Sequence, residues 1–77
     1  MLNTIRSIVY EVTGVSDLTE DTDFVKDLGL NSLDVVSIVG AFEDKYGIEV
    51  SVRDLWQLHT VRDVMDYMAK KNIVTEE

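Results

Sequence analysis

The sequence predicts an all-α domain of four helices, with a long first loop and a short third helix. Three observations carry this. Apolar residues recur at helical spacing in separate stretches, capping residues precede several of those stretches, and no proline interrupts them. Seventy-seven residues suffice for one small domain with a modest core, so residues 1–77 are read as a single unit.

The first helix is expected over residues 2–13, where Leu2, Ile5, Ile8, Val9 and Val12 share one face and Thr13-Gly14 closes the run. A connection follows from about Val15 to Leu30, a length that is usually functional or partly structured. Leu18, Phe24, Val25 and Leu28 are its expected anchors on the core. The second helix runs from Ser32 to Tyr46, with Leu33, Ile38, Val39, Phe42 and Tyr46 inward and Gly47 as its stop. Val36, Ser37, Gly40, Glu43 and Asp44 fall on its outward side. Gly40 costs about 1 kcal/mol relative to alanine in a helix, for which packing and close approach by a partner are both candidate reasons. Ile48-Glu49-Val50 forms an extended link, and Ser51 caps a brief third helix from Val52 to about Gln57, with Leu55 inward. Thr60 caps the last helix in a capping box with Asp63, and Val61, Val64, Met65 and Met68 form its core face. Lys70 and Lys71 suit its C-terminal dipole, and Val74 to Glu77 are expected to fray.

The stretch that organises the rest is Asp27-Leu28-Gly29-Leu30-Asn31-Ser32-Leu33-Asp34, an acidic loop opening directly into a helix. Gly29 can supply the positive φ of a tight turn. Asn31 and Ser32 are both good N-cap types, and Asp34 suits the positive end of the helix dipole. The flanking leucines can point inward and leave the Ser32 hydroxyl outward. A phosphate ester on that hydroxyl would sit where backbone N–H groups converge. A serine at a helix start is also an ordinary cap, so the local pattern alone leaves both readings open.

Fifteen acidic against seven basic residues give a net charge of −8. That field repels nucleic acid and anionic membrane surfaces and favours partners with basic patches. Asp17, Glu20, Asp21, Asp23 and Asp27 load the loop before Ser32, and Asp34, Glu43 and Asp44 follow it. No apolar run reaches transmembrane length and no signal peptide is evident, so a soluble cytoplasmic chain is expected. Without cysteine there is no disulfide, and a single histidine, His59, makes a poor zinc site. The acids from Asp17 to Asp27 lack the EF-hand pattern, so no metal site is expected. Ser32 lacks the Gly-x-Ser-x-Gly elbow, and a triad with His59 would also need an oxyanion hole. No catalytic residue is assigned. Trp56 fits either a partner contact or a partly buried structural position.

Leu28-Gly29-Leu30-Asn31-Ser32-Leu33-Asp34 resembles the Asp-Ser-Leu signature of acyl carrier proteins. The similarity continues through Phe42 to Val50 and Thr60 to Met68, and reaches back to Ile5–Val9 and Thr22–Gly29, nearly the whole chain. The resemblance implies a freestanding, monomeric four-helix bundle that is a carrier and not an enzyme. It implies 4′-phosphopantetheine, donated from coenzyme A by a phosphopantetheinyl transferase, on Ser32. Acyl groups would ride on that arm as thioesters between acyl-transfer and condensing enzymes of fatty-acid, polyketide or specialised lipid synthesis. Asp34, Glu43 and Asp44 are then the expected partner contacts, with Val36 as the apolar centre. Ile38, Val39, Phe42, Leu55 and Met65 would form an acyl cleft. A peptidyl or aminoacyl carrier, and an acidic helical interaction module in which Ser32 is only a cap, are the alternatives. Asn31 stands where the family usually has aspartate, Ser37 and Gly40 replace an acidic and a large apolar residue, and Leu55 replaces an often small one. These departures favour a specialised acyl or polyketide pathway over housekeeping fatty-acid synthesis.

Overall fold

A computed structural model describes residues 2–73; the fraying expected of Val74 to Glu77 falls outside the described residues. Among the described residues four helices form in the expected order: α1 (Leu2–Thr13), α2 (Ser32–Tyr46), α3 (Val52–Leu55) and α4 (Val61–Lys70). α1 packs against both α2 and α4. Ile5 and Val9 of α1, Leu18 of the loop, Phe42 of α2 and Val61 of α4 are the largest fully buried side chains. The apolar stripes of three helices thus meet around one loop anchor, and burial of each such side chain contributes about 1.5–3 kcal/mol.

Each helix end has a local cause. The Thr13 hydroxyl donates to the Val9 carbonyl (2.8 Å), and the Gly14 N–H donates to the Tyr10 carbonyl (2.8 Å). Gly47 takes the left-handed conformation (φ 63°), and its N–H and that of Ile48 both reach the Glu43 carbonyl, closing α2. Thr60 and Asp63 form the expected capping box at the start of α4. α3 is shorter than expected: the Gln57 and Leu58 N–H groups bond to the Asp54 and Leu55 carbonyls (3.0 and 3.1 Å), tightening the chain after one turn.

The long loop is held at three places. Arg6 of α1 donates from Nε and Nη2 to the Leu18 carbonyl (3.1 and 3.0 Å). Further on, Asp23 pairs with Thr60 in an isolated antiparallel bridge: the Phe24 N–H donates to the His59 carbonyl (3.0 Å) and the Val61 N–H to the Thr22 carbonyl (3.1 Å). Arg62 then pairs with Glu20 (3.3 Å) and Asp21 (2.7 Å). Residues 23–29 wind into a helix-like turn in which Asp23 Oδ1 accepts the Val25 and Lys26 N–H groups, while Asp27 Oδ2 accepts that of Asp23.

Two apolar residues expected inward are not. Val25 is 57% exposed, because the turn spaces Phe24 and Leu28 four apart on its inner side and leaves Val25 outside. Leu33 is 76% exposed, because it lies about 200° around the helix from Val35, a member of the inward set with Ile38, Val39 and Phe42. Of the leucines flanking Ser32, only Leu30 is buried.

Candidate functional site

Ser32 is the first residue of α2 and is exposed. The N-cap is Asn31, with extended backbone (φ −92°, ψ 177°). Its Oδ1 accepts the Asp34 N–H (2.9 Å), and Asp34 Oδ2 faces back to the Asn31 N–H (3.4 Å). This reciprocal box leaves the Ser32 hydroxyl with no cap to make, and it has no hydrogen-bond partner among the described residues. Two N–H groups of the first turn, those of Ser32 and Leu33, have no acceptor among the described residues. An anionic group on the serine oxygen therefore meets free donors and the positive end of the dipole.

The approach to Ser32 is fixed from the loop side. Gly29 adopts φ 67°, and its N–H donates to the Val25 carbonyl (3.1 Å), after which the Leu30 N–H reaches the Phe24 carbonyl (3.1 Å). Leu30 is buried and Asn31 and Ser32 emerge from it into solvent. Several acids near this seam hold the backbone. Asp23 and Asp27 brace the turn, and the Lys26 N–H, joined by that of Val25, outweighs partial desolvation and holds the Asp23 carboxyl below the usual carboxylate range.

The outward face of α2 carries Leu33, Val36 (46% exposed) and Ser37 in the turns after the serine, and Asp44 towards its far end. At 1.5 Å per residue, Val36 lies about 6 Å and Asp44 about 18 Å along the axis from Ser32. Glu43 is turned inward along the link, its Oε2 accepting the Val50 N–H (2.9 Å). A Cβ built on Gly40 meets nothing within 4 Å, so internal packing does not call for glycine there. On α3 and its end, Val52 is 68% and Trp56 52% exposed. The His59 imidazole is exposed; its main chain, not its ring, does the structural work, the N–H donating to Asp63 Oδ2 (3.0 Å).

Inside the bundle a small apolar cavity lies between α2 and α4. Ile38, Val39 and Phe42 line it as expected, with Val35, Val64, Tyr67 and Met68. Phe24, Val50 and Leu58 complete the wall. Leu55 and Met65 do not line it. Met65 follows Val64 by about 100° around α4, which places it on the other flank of the core stripe. The tight turn ending α3 brings Leu58 to the wall in place of Leu55, which is buried elsewhere in the core. Tyr67, which sequence reasoning missed, follows Val64 by three residues and so shares its face. Its hydroxyl donates to Asp54 Oδ2 (2.9 Å), and partial desolvation together with that bond raises the phenol above its usual range.

A compact helical scaffold presenting an unengaged serine at a helix start, above an apolar interior, has the parts that a carrier of a covalent prosthetic arm needs. The family model described as "Phosphopantetheine attachment site" matches residues 3–68. The acyl carrier protein of Thermotoga maritima is 41% identical over 69 residues, covering 87% of this chain and 85% of that protein. The acyl carrier protein of Rhodococcus erythropolis is 48% identical over 68 residues, covering 86% of this chain and 75% of that protein. The meromycolate extension acyl carrier protein of Mycobacterium tuberculosis is 44% identical, and the match spans 59% of that longer protein. A solved structure of a candidate acyl carrier protein from Mycobacterium tuberculosis superposes with a TM-score of 0.82 at 27% identity, covering 90% of this chain and 95% of that one. The chain belongs to the phosphopantetheine-attachment family, as an acyl carrier protein. The cofactor of such a carrier is covalent 4′-phosphopantetheine. No helix among the described residues is long and apolar enough to cross a membrane.

Proposed function

We propose that Ser32 is the residue that accepts the phosphopantetheine arm. The observation that carries this reading is the division of labour at the start of α2: Asn31 makes the cap and the Ser32 hydroxyl is left exposed. A phosphopantetheinyl transferase would place the phosphoester there, and the free N–H groups of Ser32 and Leu33 favour its charge. The arm's thiol then holds acyl groups as thioesters. Tethering raises the effective concentration of the acyl group at each enzyme that docks, without tight binding. The chain supplies no chemistry of its own in this reading and works in the cytoplasm as a monomer.

Partner enzymes with basic patches dock along the outward face of α2, reading Asp34 and Asp44 with Val36 at the apolar centre and Leu33 beside the arm. Glu43 contributes charge from a side chain already tied to Val50. Gly40 leaves this face low between Val36 and Asp44, which supports close approach by a partner backbone or side chain. Acidic docking of this kind raises association rates more than affinity and lets the carrier leave quickly. Acyl cargo is sheltered in the cavity between α2 and α4.

The departures at Asn31, Ser37, Gly40 and Leu55 support service in a specialised acyl or polyketide pathway. A generic fatty-acid synthase set is then expected to load and elongate this carrier poorly, and normal turnover there would contradict the pathway assignment. The attachment itself is tested by incubating the folded protein with coenzyme A and several broad-specificity transferases, then measuring intact mass and mapping the modified peptide. One phosphopantetheine on Ser32 supports the reading. Absence of modification with every transferase would return Ser32 to a simple helix-start residue.

A further inference from the structure

The carboxamide of Asn31 has one end in use and one end free. The Asp34 N–H is a donor, so the atom it meets at 2.9 Å must be the amide oxygen, Oδ1. That fixes the other end as Nδ2, whose hydrogens have no acceptor among the described residues. Asn31 is exposed, and the next residue in the chain is Ser32. Consecutive Cα atoms lie about 3.8 Å apart, so a phosphate on the Ser32 oxygen can come within reach of that nitrogen. We infer that Asn31 holds the root of the arm, capping α2 through Oδ1 while Nδ2 donates to the phosphodiester on Ser32. This deepens the carrier reading and rests on Ser32 as the attachment point.

The donor set fits this group. The N–H groups of Ser32 and Leu33 and the Nδ2 of Asn31 are donors without acceptors at one seam. A hydrogen bond to an ionised acceptor is about twice as strong as a neutral one, which favours phosphate over water at that nitrogen. Charge points the same way. Asp34 is the acidic residue in the first turn of α2, and its Oδ2 is drawn back toward the Asn31 N–H (3.4 Å). A carboxylate at position 31 would cap the helix about as well as the amide. It would also bring a second negative charge to the phosphate and offer it no proton. The amide therefore does what its isosteric acid cannot: it closes the helix and receives an anion. Holding the phosphate from a side chain as well as through its ester bond restricts the directions in which the arm leaves the seam.

The test uses the full chain before and after loading with coenzyme A and a broad-specificity transferase, with complete loading confirmed by intact mass. The parent, Asn31→Asp and Asn31→Gly are compared, each against its own unloaded form. Aspartate and glycine are both accepted at an N-cap, so the variants fold and the difference on loading reads the arm alone. Loading is expected to raise the Tm of the parent by about 2–4 °C and to move the side-chain amide NMR signals of Asn31. Asn31→Gly is expected to lose at least half of that rise, and Asn31→Asp to lose all of it. Equal changes on loading in all three proteins, or unmoved Asn31 side-chain signals in the loaded parent, overturn the inference while leaving attachment at Ser32 intact. A full rise in Asn31→Gly with none in Asn31→Asp would leave charge as the whole effect and overturn the hydrogen bond. Failure of Ser32 in the parent to take the arm overturns both readings.

Discussion

The guanidinium of Arg6 reaches across from α1 and places two donors on one backbone carbonyl, that of Leu18, at 3.1 and 3.0 Å. Leu18 is 2% exposed, so this carbonyl belongs to the segment that plugs the loop into the core. Removing the fork by Arg6→Ala leaves a part-buried acceptor unmatched and is expected to lower stability by about 1.5–3 kcal/mol. Arg6→Lys offers a point charge in place of the fork and should recover only part of that loss. Urea unfolding of the three proteins provides the comparison.

Ser32→Ala separates attachment from folding. The cap is made by Asn31, so the variant should unfold within about 0.5 kcal/mol of the parent while taking up no phosphopantetheine by mass. Asn31→Ala should show the reverse weighting, losing about 1 kcal/mol of stability with the cap. A Ser32→Ala protein that still acquires the arm would move the attachment point elsewhere.

Gly40→Ala probes the outward face of α2. A Cβ there meets nothing within 4 Å, so alanine should stabilise the helix by up to about 1 kcal/mol. If the bare backbone serves a partner, the same variant should slow turnover by an enzyme that uses this carrier. Stabilisation with unimpaired turnover would leave glycine there without a docking role.

Acid and alkali should act through different residues. The Asp23 carboxyl lies below its usual range, chiefly through the Lys26 N–H, so the unfolded chain binds that proton more tightly than the folded one. Its contribution is present above the ordinary carboxylate range and is lost as pH falls through the depressed folded value. Asp23→Asn keeps an acceptor for the turn but should flatten the acid limb of the stability–pH curve.

The Tyr67 phenol is raised by partial desolvation and by Asp54, so its contribution is complete below the ordinary phenol range and is lost as pH rises through the raised folded value. Tyr67→Phe should cost about 1 kcal/mol near neutrality, a difference that shrinks in strong alkali. Denaturant curves across both limbs test the pair.

Much of this was legible beforehand because helical periodicity and caps are written in side chains. The limits of α1 and α2, the Thr60–Asp63 box and the outward positions of Val36 and Asp44 all follow from spacing. The ties between the loop and α4 were not legible. Beside the Arg62 ion pairs they run through backbone groups of Thr22, Phe24, His59 and Val61, and a main-chain hydrogen bond has no residue signature. Leu33 and Val25 misled for the opposite reason: hydrophobicity predicts burial, and both stand exposed. At Leu33 that exposure adjoins the proposed attachment point, where a docking surface needs apolar area left uncovered. The choice between Asn31 and Ser32 as cap was open in sequence because both side chains are competent; the extended backbone of Asn31 decides it.

The antiparallel seam between Asp23 and Thr60 has a consequence for how the chain is made. A nascent polypeptide still short of residue 61 has the Phe24 and Thr22 backbone groups but not yet their full set of counterparts, so the turn that leads to Ser32 can close on its own local bonds but is not yet tied to the rest of the bundle while translation continues. Only after the start of the last helix leaves the ribosome can that tie form. A transferase that reads the tied turn would therefore recognise completed molecules and pass over those abandoned midway through synthesis.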